Sequence, residues 1–150
     1  MNLPLLISLI IIIGVSSQIE TNHGCKTNCN CSNIEFSIGG PTSYTKIDDC
    51  SFKLTCLNGK QAVLSLSWDG SEIEKPSDAS TNRMDVIQEG TAPFPPVDFF
   101  STFGIACEDG YWIATKYPLI RYQNMDHELV TKSFDNINGK KTQFGILQCF

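Results

Sequence analysis

The chain has 150 residues, 41% of them hydrophobic, and 11 Lys and Arg against 16 Asp and Glu give it a formal charge of −5. That length suits one domain with a real core and leaves no room for two large ones. The acidic excess is spread along the chain without a basic block, which excludes recognition of a nucleic-acid backbone, a task that needs a clustered cationic face.

The first segment, MNLPLLISLIIIIGVSSQ, is apolar from Leu3 to Val15 and runs into small residues at Val15, Ser16 and Ser17. This is the pattern of a secretory signal peptide cut near Ser17, although its start carries no Lys or Arg. It is too short for a comfortable membrane span of about 20 residues, and no later segment is apolar enough to cross a bilayer. The expected organisation is a signal peptide over 1–17 and a single disulfide-bonded β domain over 18–150, secreted to the extracellular space.

Next comes CKTNCNC, three of the seven cysteines within Cys25 to Cys31. In an oxidising compartment thiols become disulfides, so the cluster reads as the root of a disulfide framework. A metal site at Cys25, Cys29 and Cys31 would need protected thiolates and a fourth ligand, with His23 the only nearby imidazole. A nucleophilic cysteine would need a base and a lowered pKa. No metal and no cofactor is expected. Asn30-Cys31-Ser32 is the one N-x-S/T sequence, which makes Asn30 a candidate glycosylation site.

Alternating apolar runs follow, punctuated by Asn58-Gly59, Asp69-Gly70, Asp109-Gly110 and Asn138-Gly139. Such dipeptides accept the positive φ of tight turns, so they mark hairpins between antiparallel strands. In CSFKLTCLNGKQAVLSLSW the apolar positions are Cys50, Phe52, Leu54 and Cys56, then Ala62, Leu64, Leu66 and Trp68. Only a three-residue bulged loop, Asn58-Gly59-Lys60, puts both sets on one face of a hairpin, because a slip of one residue flips every side chain. Cys50 and Cys56 lie roughly 20 Å apart on an extended strand, beyond the reach of about 7 Å of a disulfide. Cys29 and Cys31 are therefore expected to find partners among Cys50, Cys56, Cys107 and Cys149, with the pairing open. Cys25 is left as a free or intermolecular thiol, the latter giving a disulfide-linked dimer.

From Asp69 to Pro96 the chain is polar and turn-rich, ends in TAPFPPV, and reads as a long surface crossover. Ser80 to Gln88 is the one stretch that would tolerate a turn or two of helix. In PFPPVDFFSTF, the rings of Phe94, Phe99, Phe100 and Phe103 form either an exposed recognition patch or, the reading favoured here, a core strand over Phe99 to Phe103 with Phe94 outside. A second hairpin turns at Asp109-Gly110, with Phe103, Ile105, Cys107 and Trp112 or Ile113 inside. His127 sits between Asp126 and Glu128 in MDHE; without a nucleophile motif this reads as an exposed polar turn. FDNING and WDGSE offer oxygens for calcium but do not match an EF-hand loop and read as turns. The tail supplies a last strand ending at Cys149. The sum is an all-β fold, a small antiparallel β-sandwich stapled by disulfides.

The order CNC at Cys29 and Cys31, DDCSFKLTC at Cys50 and Cys56, IACEDGYW at Cys107 and Trp112, and FGILQC at Cys149 resembles the six-cysteine domains of secreted nematode proteins, a family of unknown function. The insert between Trp68 and Phe99 and the seventh cysteine, Cys25, depart from that pattern. The resemblance implies an extracellular, disulfide-bonded β domain and no specific chemistry. An immunoglobulin-like topology is the runner-up, since Cys56, Trp68 and Cys107 follow the order of its two bridging cysteines and core tryptophan, though Ile105 stands where its corner tyrosine would be.

The functional expectation is a non-enzymatic extracellular binding or structural module whose partner is a protein or a glycan. The alternatives are a secreted hydrolase using His127 with a neighbouring carboxylate, and an apolar-ligand carrier with a pocket lined by Trp68 and Trp112.

Overall fold

The computed structural model describes residues 30, 31, 34, 38–48 and 50–150, and their regular structure is all strand apart from one short helix. In chain order they form β1 (Ile38–Gly39), β2 (Thr42–Lys46), β3 (Phe52–Cys56), β4 (Ala62–Ser71), β5 (Arg83–Ile87), α1 (Phe99–Phe103), β6 (Ala106–Glu108), β7 (Tyr111–Ala114), β8 (Leu119–Gln123), β9 (Leu129–Lys132) and β10 (Thr142–Cys149). The large sheet has the order β6-β7-β10-β4-β5-β8-β9, with β1 added parallel to β10, and β2-β3 form a separate antiparallel pair.

The small sheet lies over the large one and the core is between them. Phe52, Leu54 and Cys56 of β3 are buried, as are Leu64, Leu66 and Trp68 of β4, Met84 and Val86 of β5, and Leu147 and Cys149 of β10. These residues alternate along their strands, as one core-facing side of a pleated sheet requires. The rings of Phe52, Phe100 and Trp112 meet at centroid distances of 5.7–5.8 Å and join β3, α1 and β7.

The apolar faces of β3 and β4 are thus those expected, but their pairing is not. Asn58 and Gly59 do take positive φ, 58° and 67°, and Lys60 N donates to Leu57 O across the turn. The two strands then part company: β3 pairs with β2, while β4 pairs with β10 on one edge and β5 on the other. Stacking the strands lets their apolar faces cover each other, which a flat hairpin would leave to a third layer. Cys149 stands opposite Ala62 in the β10–β4 ladder, and its bond to Cys56 ties the two sheets together beside this turn.

Three further expectations are corrected. The segment 69–96 is not only a surface crossover, and its 80–88 stretch is not helical: it contains β5, a central strand whose Met84, Asp85, Val86 and Ile87 are all buried. Phe99–Phe103 is a short helix rather than a strand. Asp98 starts it by accepting from Ser101 N at 3.0 Å, and its other oxygen accepts from Leu54 N of β3 at 3.2 Å. Gly104 closes it with a left-handed φ of 60°. Finally, Asp69-Gly70 is no turn, because β4 runs through it to Ser71.

Asp109-Gly110 does make the expected hairpin, with Glu108 opposite Tyr111 and φ values of 49° and 87°. Asn138-Gly139 bends the chain, but into β10 between β7 and β4 rather than back along a neighbour.

Candidate functional site

The side of the large sheet turned away from the core carries a row of side chains set by strand register. Ile146 of β10 stands opposite Ser65 of β4, Ser65 opposite Asp85 of β5, and Asp85 opposite Arg121 of β8. One step along, Ser67 pairs with Arg83. Residues two apart on a strand share a face, so Arg83 and Asp85 lie side by side.

These side chains close into a network. Asp85 Oδ1 accepts from Ser65 Oγ at 2.8 Å and from Arg83 Nε at 3.0 Å, and Oδ2 accepts from Arg121 Nη2 at 3.2 Å. Arg83 Nη2 donates to Ser65 Oγ at 3.0 Å. The side chain of Asp85 is 13% exposed, that of Arg121 27% and that of Arg83 61%. A nearly buried carboxylate is therefore held by two guanidiniums and a hydroxyl, the satisfaction a buried charge demands. One carboxylate against two guanidiniums leaves a local surplus of one positive charge.

Beside the network runs an open groove of about 470 Å³. Ser67, Arg83, Gln143 and Gln148 give it polar sides, Ile146 an apolar patch, and Gly70 and Gly145 line it with no side chain at all. Gln148 Oε1 lies 3.3 Å from Ser65 Oγ, so the groove and the network are continuous.

The residues singled out from the sequence lie elsewhere. His127 stands in an exposed turn between β8 and β9 at φ 64°. Asn124 organises that turn, its Oδ1 accepting from Asp126 N and Glu128 N at 3.0 and 2.8 Å. His23, Cys25 and Cys29 lie outside the described residues, as does the 1–17 leader.

Cys31 is bonded to Cys107 and Cys56 to Cys149, and Cys50 is disulfide-bonded as well. These pairs overturn the immunoglobulin-like alternative, in which Cys56 would bridge to Cys107. Asn30 is exposed, beside Gly110 of the β6–β7 turn.

In FDNING, Ile137 is buried and Asn138 Oδ1 accepts from Tyr117 N at 2.9 Å. In WDGSE, Glu72 Oε2 accepts from Lys141 N at 2.7 Å. Among the described residues no group of three or more His, Cys, Asp or Glu could hold a metal ion, and no helix is long and apolar enough to cross a membrane.

The tryptophans belong to the core: Trp68 packs edge-on against Tyr122, and Trp112 meets Phe52 and Phe100. Phe99 and Phe103 are fully buried, whereas Phe94 and Phe100 are half-buried. A second polar cluster is internal to the fold. Tyr117 Oη lies 2.7 Å from Ala114 O and 2.9 Å from Thr142 Oγ1, and burial raises its pKa above the ordinary tyrosine value.

Sequence reasoning missed Arg83, Asp85 and Arg121. The signal that could have found them was the alternation in RMDVI, with Met84 and Val86 inward and Arg83, Asp85 and Ile87 outward.

Residues 27–149 match the family described as TRA-1 regulated protein R03H10.4, and the chain belongs to that family. The match agrees with the nematode resemblance at the level of the family. No curated protein and no solved structure matches the chain.

Proposed function

We propose that this family member is a secreted, non-enzymatic module of the extracellular space, built on a six-cysteine disulfide framework and working by binding. The observation that carries this reading is the pair of bonds Cys31–Cys107 and Cys56–Cys149, which span 76 and 93 residues of sequence. Such long-range staples belong to chains that mature in an oxidising compartment. They hold a rigid sheet whose outer face offers a charged, polar groove, while His127 sits in an exposed turn outside that groove.

The test is the intact mass of the protein recovered from secreting cells, alkylated with and without prior reduction. Six cysteines shielded until reduction, and a mass lacking the 1–17 segment, are the expected result. Three or more free thiols in the native protein would overturn the reading. His127→Ala separates the module from a hydrolase: a binding module keeps its fold and its ligand, and an enzyme loses turnover. Cys25 is assigned to a partial disulfide-linked dimer, and a single non-reducing band at monomer mass with one alkylatable thiol would reject that assignment.

A further inference from the structure

We propose that the groove on the outer face of the large sheet binds a saccharide that carries one carboxylate. The inference rests on the reading of the chain as an extracellular binding module and names its ligand class.

Its first support is the glycine pair. Neither Gly70 nor Gly145 has a positive φ, and a Cβ at either would meet its nearest neighbour, Gln143 Cβ or Ser65 O, at 3.5 or 3.6 Å, ordinary van der Waals contact. Neither the sign of φ nor crowding requires glycine at these positions, and both lie where the register of the β10–β4 ladder shifts. A strand glycine gives up side-chain packing and costs extra backbone entropy, and here two of them sit in facing strands at one groove. What they provide is open space in which a ligand can approach the sheet backbone.

The second support is Arg83. Its Nε is held by Asp85 and its Nη2 by Ser65, and among the described residues no partner engages Nη1. The guanidinium is thus fixed at one side and mostly exposed on the other, an oriented fork for a carboxylate. The surplus positive charge of the network matches a single anion. A polyanion would meet the field of a chain whose net charge is −5.

The rest of the lining selects a sugar. Gln143, Gln148 and Ser67 supply amides and hydroxyls to pair with ring hydroxyls, and Ile146, 48% exposed, offers an apolar patch for a C–H face. An extended peptide needs an open sheet edge or apolar side-chain pockets, whereas β4, β5 and β10 are all paired on both edges.

The experiment is calorimetric titration of the full disulfide-bonded chain with a glucuronate-containing disaccharide, its methyl ester and the matching neutral disaccharide. Saturable binding of the acid is expected, at least tenfold tighter than binding of the ester or the neutral sugar. Arg83→Gln should bring the acid down to the level of the ester. Gly145→Leu should abolish binding with the urea midpoint unchanged or raised, because the new side chain fills the groove without strain.

Absence of saturable binding, equal affinity for acid and ester, or full binding by Gly145→Leu would overturn the proposal. So would displacement of the disaccharide by inorganic sulfate at matched concentration, since the site would then recognise an anion and not a sugar. The same samples separate the two levels of inference. Shielded cysteines without sugar binding sink the ligand assignment alone, whereas free native thiols sink the extracellular reading with it.

Discussion

Replacing Asp85 by asparagine tests whether the outer-face network holds the sheet together or merely decorates it. Asparagine keeps the shape and one oxygen, so Ser65 Oγ and Arg83 Nε still have an acceptor, but its amide nitrogen would face Arg121 Nη2 across the 3.2 Å contact, donor against donor. A hydrogen bond to a charged group is worth about 1.5–3 kcal/mol. Three such bonds weaken here, yet both guanidiniums reach water, and exposed ion pairs retain little of that value. The net loss is therefore about 2 kcal/mol, carried mainly by the nearly buried carboxylate.

The assay is urea unfolding, because guanidinium chloride would screen the charges under study. The midpoint should fall with an unchanged slope. In the double mutant with Arg121→Met, the two losses should fail to add by roughly 1 kcal/mol, the mark of a direct pair. A loss below about 0.5 kcal/mol for Asp85→Asn, the usual size of a surface change, would refute the claim that this carboxylate stabilises the sheet.

Other outcomes follow from the same structure. Removing the Cys56–Cys149 bond by a double alanine substitution should cost about 4–5 kcal/mol in the chain-entropy account of a 93-residue separation, measured as a drop in urea midpoint with the Cys31–Cys107 bond intact by mass. Gly104→Ala should destabilise by more than about 1 kcal/mol, since φ is 60° and Thr115 Oγ1 occupies the place of a Cβ; a neutral effect on thermal midpoint would contradict the cap. Tyr117 has a raised folded-state pKa, so its contribution is complete below about pH 10 and is lost as pH climbs through the folded value. Tyr117→Phe should therefore lower stability at pH 7 by about 1 kcal/mol while flattening the alkaline decline, and equal slopes above pH 10 would refute the assignment.

How far the sequence could be read depended on whether a residue's local pattern matched its tertiary use. Phe52, Leu54, Cys56, Leu64, Leu66 and Trp68 alternate cleanly, so their core-facing role was visible, and Asp109-Gly110 turned where its φ preference allows. What alternation does not encode is the partner: the same two apolar faces can lie side by side or stacked, and the edges of β4 were claimed by β5 and, from far along the chain, by β10. RMDVI was hidden because an aspartate reads as exposed until the arginine that neutralises it is known, and Arg121 arrives 36 residues later. Phe99 to Phe103 looked like a strand on aromatic content, while the Asp98 cap and Gly104 set a helix. The β8–β9 turn was legible in the polar run around His127, although its positive φ falls on that histidine and not on a glycine. The groove was illegible for a different reason, since it is made by the absence of side chains at Gly70 and Gly145 on strands distant in sequence.

The position of β10 in the large sheet governs how this molecule is made. It follows every other described strand in sequence and yet it lies between β7 and β4, with β6–β7 on one side and the four strands through β9 on the other. No stretch of polypeptide before Thr142 closes that gap, so a chain cut short of it exposes two strand edges with unpaired backbone groups to whatever else is nearby. Folding must wait for contacts between distant parts of the chain, a slow topology that the Cys56–Cys149 bond stabilises once formed. Assembly of the sheet is thereby coupled to the arrival of a strand that lies after all its partners in sequence.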